Sequence, residues 1–177
     1  MRKKTVFTII KILLAAIFIA GVIYHFPWQT RVDTTLTATK LDADGNALGT
    51  YDIHFTGTKL NYLFQEERYV LEVDAFDTFK SIKTSSDGHG RIGIPFFHYG
   101  KDWGIEEHYE LYLAGIDTSV SGSEVVIMNL IFTQEQDRFI LTCRGSENGD
   151  WCYVGSLSGN YTTEETAEYY QGYLPKK

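Results

Sequence analysis

RVDTTLTATKLDADGNALGTYDIHFTGT, residues 31–58, is two stretches of alternating side chains around a cluster of turn formers. The first is rich in Thr and Val, and the second puts Tyr51, Ile53 and Phe55 on one face. A period of two marks strands with one buried face. "DADGNA" supplies the Asp and Gly that tight turns favour. The stretch is therefore a β-hairpin, and the same pattern continues down the chain. "KLNYLF" and "RYVLEV" flank a turn at Gln65, Glu66 and Glu67. "FKSIKTS", "RIGIPFFHY" and "HYELYLAGI" follow, separated by "SDGHG" and "GKDWG". "SEVVIMNLIF" is apolar on both faces, which predicts a central, doubly covered strand. "DRFILTC" and "WCYVGSL" complete the set. Frequent turn signals favour a single antiparallel β-sandwich or barrel of about eight to ten strands over βαβ units.

Both ends depart from this pattern. In "NYTTEETAEYYQGYLPKK" Thr162 can cap a helix and Glu165 completes a capping box, with Glu164 also at the positive helix end. Gly172 and Pro175 stop that helix, and its Tyr169, Tyr170 and Tyr173 are expected to pack on the sheet, because a helix this short is marginal alone. At the other end Arg2, Lys3 and Lys4 precede an apolar run from Thr5 to Phe26, interrupted only by Lys11. That run is long enough to span the bilayer, Pro27 ends it, and Tyr24 and Trp28 lie where an aromatic belt would sit. A cleaved signal peptide would need small residues before its cut. Phe18, Ile19 and Val22 surround Ala20 and Gly21, so an uncleaved signal-anchor is expected. Residues 1–30 are then a cytoplasmic basic flank and a transmembrane helix, whose partner is the lipid bilayer. Residues 31–177 form one extracytoplasmic β-domain of a single-pass cell-membrane protein.

All 23 acidic residues and 12 of the 16 basic ones lie beyond residue 30, a net of −11 for the domain. That charge argues against nucleic acid as a partner. Export also bears on the two cysteines, Cys143 and Cys152, because oxidising compartments favour disulfides. If Ser146–Gly149 makes a four-residue turn, Cys143 opposes Cys152 across antiparallel strands and a bridge is in reach. A two-residue turn at Asn148-Gly149 would shift the register and separate them. A disulfide is the expectation.

"TATKLDADGNALGTYDIHF" resembles the opening strand and first hairpin of bacterial surface domains of the immunoglobulin-like and prealbumin-like (pilin CnaB) types. The resemblance implies an extracellular β-sandwich. In the prealbumin-like type a Lys two residues before such an Asp can form an isopeptide bond to a late Asn, and Lys40 and Asn160 are the matching positions here. The Glu-x-x-x-Pro-x-Gly-Tyr region of that family is missing, so the isopeptide chemistry is not carried over.

Motifs for chemistry are sparse. "GHGRIG" (88–93) fits G-x-G-x-x-G, but "IPFFHY" follows where a dinucleotide site needs a helix, so its glycines read as a turn. Asp42, Asp44 and Asn46 form half of a calcium loop, yet Ile53 stands at the bidentate Glu position, and turn chemistry explains them. Ser85, Ser86, Asp87 and His89 hold the letters of a catalytic triad within one turn, too close in sequence to be oriented as one. Asn160-Tyr161-Thr162 is a glycosylation sequon. The richest stretch is "FFHYGKDWGIEEHYELY" (96–112). A hairpin at "GKDWG" would set His98 opposite Glu106 with His108 diagonal, a candidate metal set, while Tyr99, Trp103 and Tyr109 are candidates for a ligand or glycan patch. No cofactor is implied. The reading favours a non-enzymatic, membrane-tethered module that binds a cell-surface protein, glycan or envelope component. A lipocalin-like barrel for a small apolar ligand is the alternative, and an exported hydrolase using His89, His98 and Glu106 is a third.

Overall fold

The computed structural model describes residues 2–42, 44–74, 76, 79–86, 89–100, 105–118, 122, 124–133, 137–144 and 151–174, with backbone alone for 2–3, 96–100, 105–107 and 144. Helix α1 (Arg2–His25) holds the apolar run. Lys4–His25 is long and apolar enough to cross a membrane, and none of it is buried against the rest of the protein. Pro27 stops the helix as expected, since its ring cannot continue the i→i−4 ladder.

Nine strands follow among the described residues: β1 (Trp28–Leu41), β2 (Ala47–Asn61), β3 (Arg68–Asp74), β4 (Phe79–Thr84), β5 (Phe96–Gly100), β6 (Ile105–Asp117), β7 (Glu124–Thr133), β8 (Arg138–Arg144) and β9 (Trp151–Ser156). They pair in the order β4-β3-β2-β1-β9-β8-β7-β6-β5, and β4 also pairs with β6. That last pairing closes an eight-stranded antiparallel barrel, so the sandwich suggested by the surface-domain resemblance is not the fold. Strand β6 is long enough to take two partners along one edge. Its Leu113–Asp117 end meets β4, and its Ile105–Glu110 end meets β5.

The opening hairpin is β1 and β2, in register from Trp28↔Asn61 to Leu41↔Ala47. Its turn is held by Asp42, whose carboxylate accepts from the Asp44 amide (2.8 Å) and the Asn46 amide (2.9 Å). Those bonds hold the Asp42 carboxyl below its ordinary pKa, led by the Asn46 amide. The side chain closes the turn. Strand β2 absorbs both "LGTYDIHFTGT" and part of "KLNYLF". It carries Gly57 at φ +148, where a Cβ would collide with the Val70 carbonyl, so β3 can approach only a glycine.

Two cores result. Inside the barrel, Ile53, Phe55, Leu71, Leu113, Met128, Leu141, Cys143 and Tyr153 belong to one buried cluster. Outside, Leu41, Ile131, Ile140, Cys152, Val154 and Tyr170 form a second one beneath α2 (Thr163–Tyr169). The capping box of α2 is as expected: the Thr162 hydroxyl accepts from the Glu165 amide (3.2 Å), and Glu165 accepts from the Thr162 amide (2.8 Å). Tyr170 is fully buried and its hydroxyl donates to the Arg138 carbonyl at 2.8 Å.

The second core explains two departures from expectation. Strand β7 is covered on its outer face at Ile131, whereas Val125 and Ile127 stay exposed because α2 does not reach them. The disulfide is absent: the two cysteines are not bridged, and both are buried. Cys143 opposes Trp151 and Cys152 opposes Thr142. The two are therefore one step out of register, and one step turns a side chain to the other face. Cys143 enters the inner core and Cys152 the outer one. Cys143 therefore does not stand opposite Cys152, the pairing that the expected four-residue turn would have given. The turn itself, at 145–150, lies outside the described residues.

Candidate functional site

The barrel interior is unequal at its two ends. At the end where β1 finishes and β9 begins, aromatic rings fill it. Trp151 and Tyr153 lie 5.1 Å apart between ring centroids, Phe76 stands 5.1 Å from Tyr153, and Phe79 stands 5.7 Å from Trp151. Lys40 caps this plug, its ammonium 5.3 Å from the Trp151 ring, a cation–π contact. Lys40 is thus on the inward side, while Asn160 is exposed beyond β9.

At the other end, where β1 starts, the interior is a cup of about 260 Å³. Alternation along β1 points Thr30, Val32, Thr34 and Leu36 into it, and Phe55, Leu71, Leu130, Phe132 and Phe139 supply most of the rest of its wall. Strand β1 pairs with β9 only over Thr39–Leu41 among the described residues. Its Trp28–Leu36 part therefore has a partner on one edge only, and the cup opens on that side. The opening lies beside the end of α1, where the Gln65 side chain donates to the Tyr24 carbonyl at 2.6 Å. Phe26, Trp28, Leu63 and Phe64 are exposed around this end.

Lys59 is the only charged residue in the described lining. Its ammonium lies 2.6 Å from one oxygen of Glu67, and the Tyr69 hydroxyl donates to the other at 3.0 Å. Burial pulls the Lys59 pKa down, but the bonds to Glu67 and Tyr69 outweigh it and hold the ammonium above its ordinary value. Burial raises the Tyr69 phenol. Tyr69 is positioned by the "GHGRIG" segment. Ser86 and Ile92 form an isolated antiparallel bridge, and the Tyr69 amide donates to the Gly93 carbonyl. Gly93 has φ +72, and a Cβ there would strike the Tyr69 carbonyl. Gly90 and Gly93 both take positive φ, as turn glycines do, and a strand, not a helix, follows.

The residues singled out in the sequence lie elsewhere. His98 stands opposite His108, not opposite Glu106, because the β5–β6 register shifts between His98 and Gly100. The side chains of His98, Tyr99 and Glu106, and all of Trp103, lie outside the description. His108 is buried on the outer face, its Nε2 2.7 Å from the Tyr173 hydroxyl. Burial pushes that phenol up to about 12. Next to it Glu110 accepts from the Asn129 amide at 2.9 Å. No group of three or more metal-ligating side chains occurs among the described residues. Tyr109 stacks on Phe132, 5.3 Å between centroids, directly behind the cup wall. His89 sits exposed on the Ser86–Ile92 turn.

Sequence reading missed Lys59, Glu67 and Tyr69. A signal was available: continuing the alternation Tyr51, Ile53, Phe55 by two steps puts Lys59 on the inward face. Fold and cup together define a closed β-barrel whose described interior is packed with aromatic rings at one end and opens as an apolar cup at the other. No protein-family model, curated protein or solved structure matches this chain.

Proposed function

We propose that this chain is a membrane-anchored, non-enzymatic binding barrel whose ligand is small and largely apolar. The observation that carries this reading is the apolar cup of about 260 Å³ inside a closed barrel. An apolar pocket of comparable or smaller size holds ligands by removing their surface from water. The exposed Phe26, Trp28, Leu63 and Phe64 beside the opening favour a mouth held at the membrane surface, since aromatic and apolar groups at a helix end partition to the interface. In this reading α1 is the anchor, its basic flank is cytoplasmic, and the barrel lies on the outer side.

The test is extraction of the full chain in native lipid particles without detergent, followed by mass spectrometry of bound small molecules. A ligand retained by the wild type and lost on Leu130→Trp, which fills the cup, is the expected result. Equal small-molecule content in both proteins sinks the proposal.

A second surface supports a protein partner. Val125 and Ile116 face each other across β6 and β7 on the outside of the barrel, with Ile127 one step along, and all three are exposed. This patch lies at the plugged end, away from α1. Photo-crosslinking from position 125 in cells, compared with position 72 on the exposed face of β3, tests it. Equal labelling from both sites would dismiss it.

A further inference from the structure

We propose that Lys59 and Tyr69 form a receptor for the carboxylate of a single-chain amphiphile, and that Glu67 occupies it in the unliganded barrel. The inference rests on the apolar-cup reading and adds the ligand's chemical class. Three observations lead to it. The two oxygens of Glu67 are held by separate donors, the Lys59 ammonium at 2.6 Å and the Tyr69 hydroxyl at 3.0 Å. This is how a protein binds a free carboxylate. Lys59 is also the only charged group in the described lining of an otherwise apolar cup, so an acyl chain lying along Val32, Leu36 and Phe132 would bring its head to Lys59. Finally, Glu67 belongs to the segment between β2 and β3, and the Lys59 and Glu67 side chains each keep 24% of their surface exposed. Glu67 can leave for water while the ligand carboxylate takes its bonds. One carboxylate replaces another, so no charge is left buried and unpaired.

The pair has a simpler role as a surface ion pair, and the two roles separate on affinity. The full chain, in nanodiscs of zwitterionic lipid at neutral pH, is dialysed to equilibrium against octanoate or octan-1-ol, with empty nanodiscs as reference. Glu67→Gln keeps the shape and removes the competing charge. It should tighten octanoate by about three- to tenfold and leave octanol unchanged. Lys59→Met keeps an apolar stem of similar length but removes the ammonium, which lies 5.0 Å from the Tyr69 ring centroid, and should weaken octanoate by a similar factor while sparing octanol. Octanol binding with no response of octanoate to either variant overturns the carboxylate receptor and leaves the apolar cup standing. If neither probe binds beyond empty nanodiscs, the cup reading and this inference both fall.

Discussion

Cys143 and Cys152 are neighbours across two strands, yet each lies in a different core. Their thiols are dry. Burial pushes the Cys152 thiol up to about 12, which removes thiolate and hence nucleophilicity. The folded, unreduced protein should react slowly with a thiol reagent at neutral pH, and denaturation without reductant should release two thiols. A count of zero would restore the bridge. Replacing Cys152 by Ser should cost about 1–3 kcal/mol, because a hydroxyl is placed in the apolar outer core. Asp42 gives a pH prediction. Its folded pKa is depressed by the turn amides and the Asn46 side chain. Its contribution is therefore fully present above the unfolded value of about 3.9 and disappears as pH falls through the folded one. Thermal unfolding of Asp42→Ala and wild type should differ at pH 6 and converge toward pH 2. A gap that stays constant would mean that the carboxylate charge plays no part.

At the scale of elements, legibility follows the range of the forces. The α2 capping box was readable because four consecutive residues contain the whole interaction. Thr162→Ala should lower stability by about 1 kcal/mol, measured by denaturant unfolding, with near-unchanged m-value if only the cap is lost. A much larger loss, with a changed m-value, would mean that α2 detaches and uncovers Ile131, Ile140 and Val154. The strands were readable from alternation, and the β1–β2 hairpin from Asp42 and Gly45. The face of each cysteine was not. It depends on whether the β8–β9 connection has an odd or even length, and the Gly- and Asn-containing loop offers both. The His98–His108 pairing was missed for a similar reason, since a register shift beyond His98 changes which residue stands opposite.

For the whole molecule, the sequence carried strand number and antiparallel order but not closure. Sandwich and barrel use the same alternating strands, and the deciding pairing, β4 with β6, joins residues 29 to 38 positions apart. The cup was equally hidden. It depends on β1 meeting β9 only from Thr39 onward among the described residues, a mismatch in strand length with no local marker. Membrane placement is the whole-molecule prediction. The Arg2–Lys4 flank and uncleaved α1 should leave the N-terminus inaccessible and the barrel accessible to protease added to intact cells. N-terminal sequencing should find no start between residues 20 and 32. A mature chain starting there would falsify the anchor.

The aromatic plug of Phe76, Phe79, Trp151 and Tyr153 makes the interior a cul-de-sac. A molecule that enters at the mouth must turn back and leave by the same door. In the membrane-anchored arrangement proposed above, such a chamber would not act as a conduit past the plugged end. If the cup binds as proposed, its filling would follow the concentration of ligand on the side of the barrel that faces α1.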